Sequence, residues 1–143
     1  PDLTIKVAEI AAASDEAAAA LKAAEHRLAD MAVLIKNVTT YKHLRPVALE
    51  YRNAKDKAKF RREHESALIL YEAAAKALKE QGVKKLPDLY ALKAEYKRLA
   101  EEKERLYERY SEAKKQMQEY GIIKQNVDGI LRVTPGKEWS QEL

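Results

Sequence analysis

Between Asp15 and Lys42 the apolar positions Leu21, Ala24, Leu28, Met31, Ile35 and Val38 alternate three and four residues apart. That spacing is the seam of a coiled coil rather than the wider stripe of a globular helix. It predicts one helix over residues 14–43, started by Ser14 or Asp15 and supported by the run Ala17-Ala18-Ala19-Ala20, since alanine is the strongest helix former. Residues 1–13 are expected either to extend this helix or to fray ahead of it. A second seam runs through Leu89, Leu92, Tyr96, Leu99, Lys103, Leu106, Tyr110, Ala113, Met117 and Tyr120, and only Lys103 breaks its apolar character. Pro87-Asp88 marks its start and Gly121-Ile122 its stop, so a helix over 87–120 is predicted. At about 1.5 Å per residue such a helix is near 50 Å long, too long to bury its stripe without a partner. The first helix is that partner.

The segment 44–86 must then reverse the chain. Arg45-Pro46 is expected to break it at one end and Gly82-Val83 at the other, with a short helix from Pro46 to Asp56 and a second from Phe60 to Gln81. Residues 121–132 are expected to form a further short helix, and 133–143, which contain Trp139, a loose tail. The fold class is therefore all-α: an antiparallel helical hairpin, its coiled-coil stalk capped by a short two-helix segment. Composition agrees. Four glycines, four prolines and an apolar fraction carried mainly by alanine and leucine disfavour sheets, whose strands draw on β-branched and aromatic residues.

With no cysteine, a disulfide framework, a thiol nucleophile and a thiolate metal site are excluded, and a cytoplasmic setting is the expectation. No apolar run approaches the roughly 18 residues of a membrane span. At 143 residues the chain is expected to be one domain or a fragment of something larger, and its opening on Pro1 raises the expectation of an excised piece.

Catalytic equipment is hard to find. The glycines at 82, 121, 129 and 136 are isolated and make no phosphate loop. His26, His43 and His64 never fall at metal-ligand spacing. Glu63-His64-Glu65 places its side chains roughly 100° apart on a helix, so they do not converge. The eight tyrosines read as seam and surface residues, because a nucleophilic tyrosine needs a neighbouring base or cation that the sequence does not supply. No catalytic residue, metal ligand, cofactor or small-molecule substrate is expected.

Charge changes the picture once it is divided along the chain. Residues 1–41 carry four basic and six acidic groups, residues 42–62 carry eight and two, and residues 63–143 carry 15 of each. The excess sits in Lys42, Arg45, Arg52, Lys55, Lys57, Lys59, Arg61 and Arg62, interleaved with Tyr41, Tyr51 and Phe60. These eight cations are the candidate nucleic-acid-binding residues: cation density supplies affinity for a phosphate backbone, and aromatic rings stack on unpaired bases. The bland alternative is a soluble, charged connection between helices.

Four stretches carry a family resemblance. They are Tyr41-Lys42-His43-Leu44-Arg45-Pro46-Val47, His64-Glu65-Ser66 leading into Leu70-Tyr71-Glu72-Ala73-Ala74, Val83-Lys84-Lys85-Leu86-Pro87-Asp88-Leu89, and Ile123-Lys124-Gln125-Asn126-Val127-Asp128-Gly129-Ile130-Leu131. Across roughly residues 14–132 the chain resembles the carboxy-terminal helical region of mobilization relaxases, the conjugation and plasmid-transfer enzymes of Gram-positive mobile elements. Relaxases nick one strand through a tyrosine assisted by a metal in a histidine cluster, in a domain that precedes this region. This sequence has no matching cluster, so none of its tyrosines inherits the nucleophile's role. The resemblance implies a non-catalytic region that contacts DNA non-specifically, docks on other transfer-complex proteins or self-associates. The runner-up is a structural coiled-coil module for protein–protein interaction without nucleic-acid affinity.

Overall fold

A computed structural model describes the backbone of residues 2–131 and the side chains of residues 3–121. The fold is all-α, with helices α1 (Asp2–Asn53), α2 (Lys57–Glu63), α3 (Glu65–Glu80) and α4 (Leu89–Leu131). The long helices α1 and α4 pack against each other as a hairpin, and α2 and α3 lie in the connection between them. Among the described residues no helix is long and apolar enough to cross a membrane. Among the described residues the chain divides into two compact units, residues 2–26 with 99–131, and residues 27–98.

In the first unit the predicted seams meet. Ala24 and Leu99 are buried, and Leu21, Leu106, Ala113 and Met117 are half-buried. Lys103, the one charged seam position, places Nζ 3.6 Å from the Glu25 carboxylate. The Lys114 ammonium donates to the Tyr110 hydroxyl at 3.1 Å, one turn back on the same helix.

In the second unit the core is Val38 of α1, Leu78 of α3 and Leu92 of α4, with Leu34, Ile35, Tyr41, Val83, Leu86 and Leu89 packed around it. Two helix ends fix the connection. At the end of α3, Gly82 adopts φ +77°, the Val83 N–H donates to the Leu78 carbonyl and the Gly82 N–H to the Lys79 carbonyl, both at 3.0 Å. This pair of bonds with a left-handed residue is a Schellman stop, and Val83 closes it by packing on the cluster that holds Leu78. At the start of α4, the Asp88 carboxylate accepts from the Tyr90 N–H at 3.2 Å, satisfying a donor that the first turn leaves free.

The helix start expected at Ser14 or Asp15 is absent, because α1 already runs from Asp2, so residues 2–13 extend it; four further expected boundaries differ. The break at Arg45-Pro46 is absent, and α1 continues through Pro46 to Asn53. Proline removes one backbone donor and crowds the preceding turn, but Tyr41 stacks on Tyr71 before it and Tyr51 on Phe60 after it, so both flanking turns are held by packing. The true break is Ala54–Asp56, and Asp56 caps α2 by accepting from the Lys59 N–H at 3.1 Å. The single helix expected over 60–81 is interrupted at His64, where φ −126° and ψ 27° leave the helical region. Its ring stacks on Phe60 with centroids 4.0 Å apart, and Nδ1 lies 3.1 Å from the Phe60 carbonyl. Finally, α4 does not stop at Gly121 but runs on to Leu131. A glycine in a helix interior costs about 1 kcal/mol against alanine, which does not end a helix unless the next residue turns into the left-handed region. The tail 133–143, like residue 132, lies outside the described residues.

Candidate nucleic-acid interface

All eight candidate cations belong to the second unit. Lys42, Arg45 and Arg52 stand on α1, Lys55 in the link, and Lys57, Lys59, Arg61 and Arg62 on α2. The structure separates them by what they touch. Arg61 is committed: its guanidinium donates to both oxygens of Glu72, at 2.8 and 2.9 Å, and lies 5.7 Å from the centroid of the Tyr51 ring. This pairing, charge-assisted and two-pronged, ties α2 to α3. Arg61 holds the Glu72 carboxyl below the ordinary carboxylate range, and Glu72 in turn pushes Arg61 up. Lys42 reaches away from the others, its Nζ donating to the Pro87 carbonyl at 3.4 Å. Arg45, Arg52, Lys55, Lys57, Lys59 and Arg62 are exposed, and among the described residues none of the six has a carboxylate partner.

The interleaved aromatics serve the fold first. Tyr51, Phe60 and His64 form one run of stacked rings, and Tyr41 stacks on Tyr71 with centroids 4.9 Å apart. Burial, and after it the neighbouring Tyr41 hydroxyl, pushes the Tyr71 phenol up to about 12, while Arg45 and Arg52 pull it partly back. Tyr71 is therefore a protonated hydroxyl at neutral pH, and the two arginines are near enough to act on it.

Between α1 and α3 an open groove of about 330 Å³ is lined by Tyr41, Arg45, Ala48, Arg52, Leu68 and Tyr71 among others. Three of its α1 residues, Arg45, Leu49 and Arg52, keep the spacing of the seam, and Tyr41, Ala48 and Tyr51 lie beside them. Counting on from Val38 by the same alternation reaches Lys42, Arg45, Leu49 and Arg52, so cations take three of the next four positions where apolar residues stood before. That signal was available in the sequence. Tyr71 and Glu72 were not recognisable as members of the site, because only the packing of α3 on α1 brings them to it.

Among the described residues no group of three or more His, Asp or Glu side chains stands together as a metal site. No family model, no curated protein and no solved structure matches this chain.

Proposed function

We propose that this chain is a non-catalytic helical region of a DNA mobilization relaxase, and that the basic end of its second unit contributes contact to the DNA backbone. The observation that carries the reading is the set of six exposed cations, without carboxylate partners among the described residues, gathered between Arg45 and Arg62 on α1, α2 and their link. Oriented lysines and arginines at this density bind phosphates by releasing condensed counterions, with little regard for base sequence. The resemblance of residues 14–132 to the accessory region of relaxases supports the same partner. In such a protein the strand-cleaving tyrosine and its metal belong to a separate domain, and this region holds the DNA near it.

A second reading has its own observation. Ile69 and Leu70 on α3 are 50% and 56% exposed, an apolar pair suited to docking on another transfer-complex protein or on a second copy of the chain. The two readings are separated by charge reversal. Arg52→Glu with Lys55→Glu, Lys59→Glu and Arg62→Glu leaves the buried residues untouched, and it is expected to abolish binding to labelled DNA while helix content by circular dichroism stays that of the wild type. Retained DNA binding in that variant contradicts the assignment. The wild-type chain is expected not to nick supercoiled DNA with or without added Mg²⁺ or Mn²⁺, and nicking that survives repurification contradicts the non-catalytic role.

A further inference from the structure

We propose that the groove between α1 and α3 receives one unpaired nucleotide of a single strand, its base entering over Ala48 among the tyrosines and its flanking phosphates held by Arg45 and Arg52. The inference rests on the DNA-contact reading and names the form of nucleic acid it favours.

Three features of the groove carry it. Arg45 and Arg52 are two helical turns apart, about 10.5 Å along the axis, with Ala48 between them on the same face. They therefore bracket an opening and reach the phosphates on its two sides. The floor is apolar: Leu68 is almost fully buried, and Ala48 is small enough to leave the space open. The walls are aromatic, with the Tyr41–Tyr71 stack and Tyr51 lining the groove.

Charge then selects the ligand. Glu72 also lines the groove, but Arg61 occupies both of its oxygens, so it does not neutralise Arg45 or Arg52. A volume of about 330 Å³ lies at the lower end of the ~300–1,000 Å³ of small-molecule sites, which suits one base and its sugar. A duplex keeps its bases stacked and paired inside, so it presents only backbone to the arginines. A single strand offers both halves of the match, a flat ring for the aromatic walls and phosphates at each side. An acidic peptide satisfies the arginines alone.

The test compares an oligothymidylate with a blunt-ended duplex of equal phosphate number, both labelled, titrated with the full chain at low salt. The wild type is expected to bind the oligothymidylate more tightly. Ala48→Leu fills the groove with a strong helix former, and it should weaken single-strand binding by about tenfold or more while changing duplex binding by less than about twofold. Unchanged single-strand affinity in that variant, with wild-type helix content, overturns the groove and leaves backbone contact standing. Binding to neither nucleic acid overturns the DNA reading itself. Binding of a polyglutamate peptide that Ala48→Leu abolishes, without oligothymidylate binding, overturns the nucleotide in favour of an acidic protein partner. Should Ala48→Leu lose helix content, Arg45→Ala with Arg52→Ala decides through two exposed side chains: a larger loss for the single strand supports the proposal, and equal losses for both forms overturn it.

Discussion

Lys103 of α4 meets Glu25 of α1 across the seam, Nζ to carboxylate, at 3.6 Å. Both side chains remain about half exposed, and such pairs contribute only ~0.2–1 kcal/mol. The lysine therefore interrupts an otherwise apolar seam for a small electrostatic return. Lys103→Leu is expected to raise the melting temperature by a few degrees, because apolar burial there exceeds the lost pair by about 1 kcal/mol. Glu25→Ala alone should lower it slightly, and less in high salt. A fall in melting temperature for Lys103→Leu contradicts the assignment of 103 to the seam.

Leu99 is 4% exposed and Tyr96, one seam position earlier, 37%. Leu99→Asp puts an unpartnered carboxylate into the core and should cost about 3 kcal/mol or more. Tyr96→Asp should cost about 1 kcal/mol or less. Thermal melts followed at 222 nm, by the helical circular dichroism signal, compare the two, and similar losses contradict the burial difference.

Gly82 separates backbone strain from packing. Its φ is +77°, and nothing lies within 4 Å of where a Cβ would stand. Gly82→Ala should therefore destabilise by about 1–2 kcal/mol through the left-handed backbone alone, while Gly82→Asn, which tolerates that region, should cost less. Urea midpoints for the two variants check the order.

Glu72 gives the pair with Arg61 a pH signature. Its carboxyl titrates below the ordinary glutamate range in the folded chain, so the unfolded state takes up a proton first as pH falls. The stability this contributes is complete above the unfolded value of about 4.3 and disappears as pH drops through the folded value. The melting temperature of the wild type should exceed that of Glu72→Gln at pH 7, and the gap should close in that acid window. A gap independent of pH contradicts the linkage.

The residues that fold the chain were legible where a period spoke for them. Leu21 through Val38 and the Gly82 stop follow from spacing and backbone preference, and Asp88 from its place before an apolar run. Pro46 carries a helix-breaking signal in sequence, but the Tyr41–Tyr71 and Tyr51–Phe60 stacks, which join residues distant in sequence, outweigh its local backbone cost. His64 carries no breaker signal, and its interruption of the helix is seen only in the packing of its ring on Phe60. The basic segment was legible as composition, but its division was not. Arg61 looks like its neighbours in sequence, and only the return of α3 gives it Glu72.

The dependence of DNA affinity on salt tests the central claim most directly, because it counts the phosphates neutralised. With about five of the six exposed cations engaged, log K against log salt for duplex DNA should fall with a slope near −4.5, and for a single strand near −3.5. Between roughly 50 and 200 mM salt that is a loss of two to three orders of magnitude, and the Arg52, Lys55, Lys59 and Arg62 charge-reversal variant should show no binding to lose. A wild-type slope near zero, or no binding at the lower salt, contradicts backbone contact by this segment.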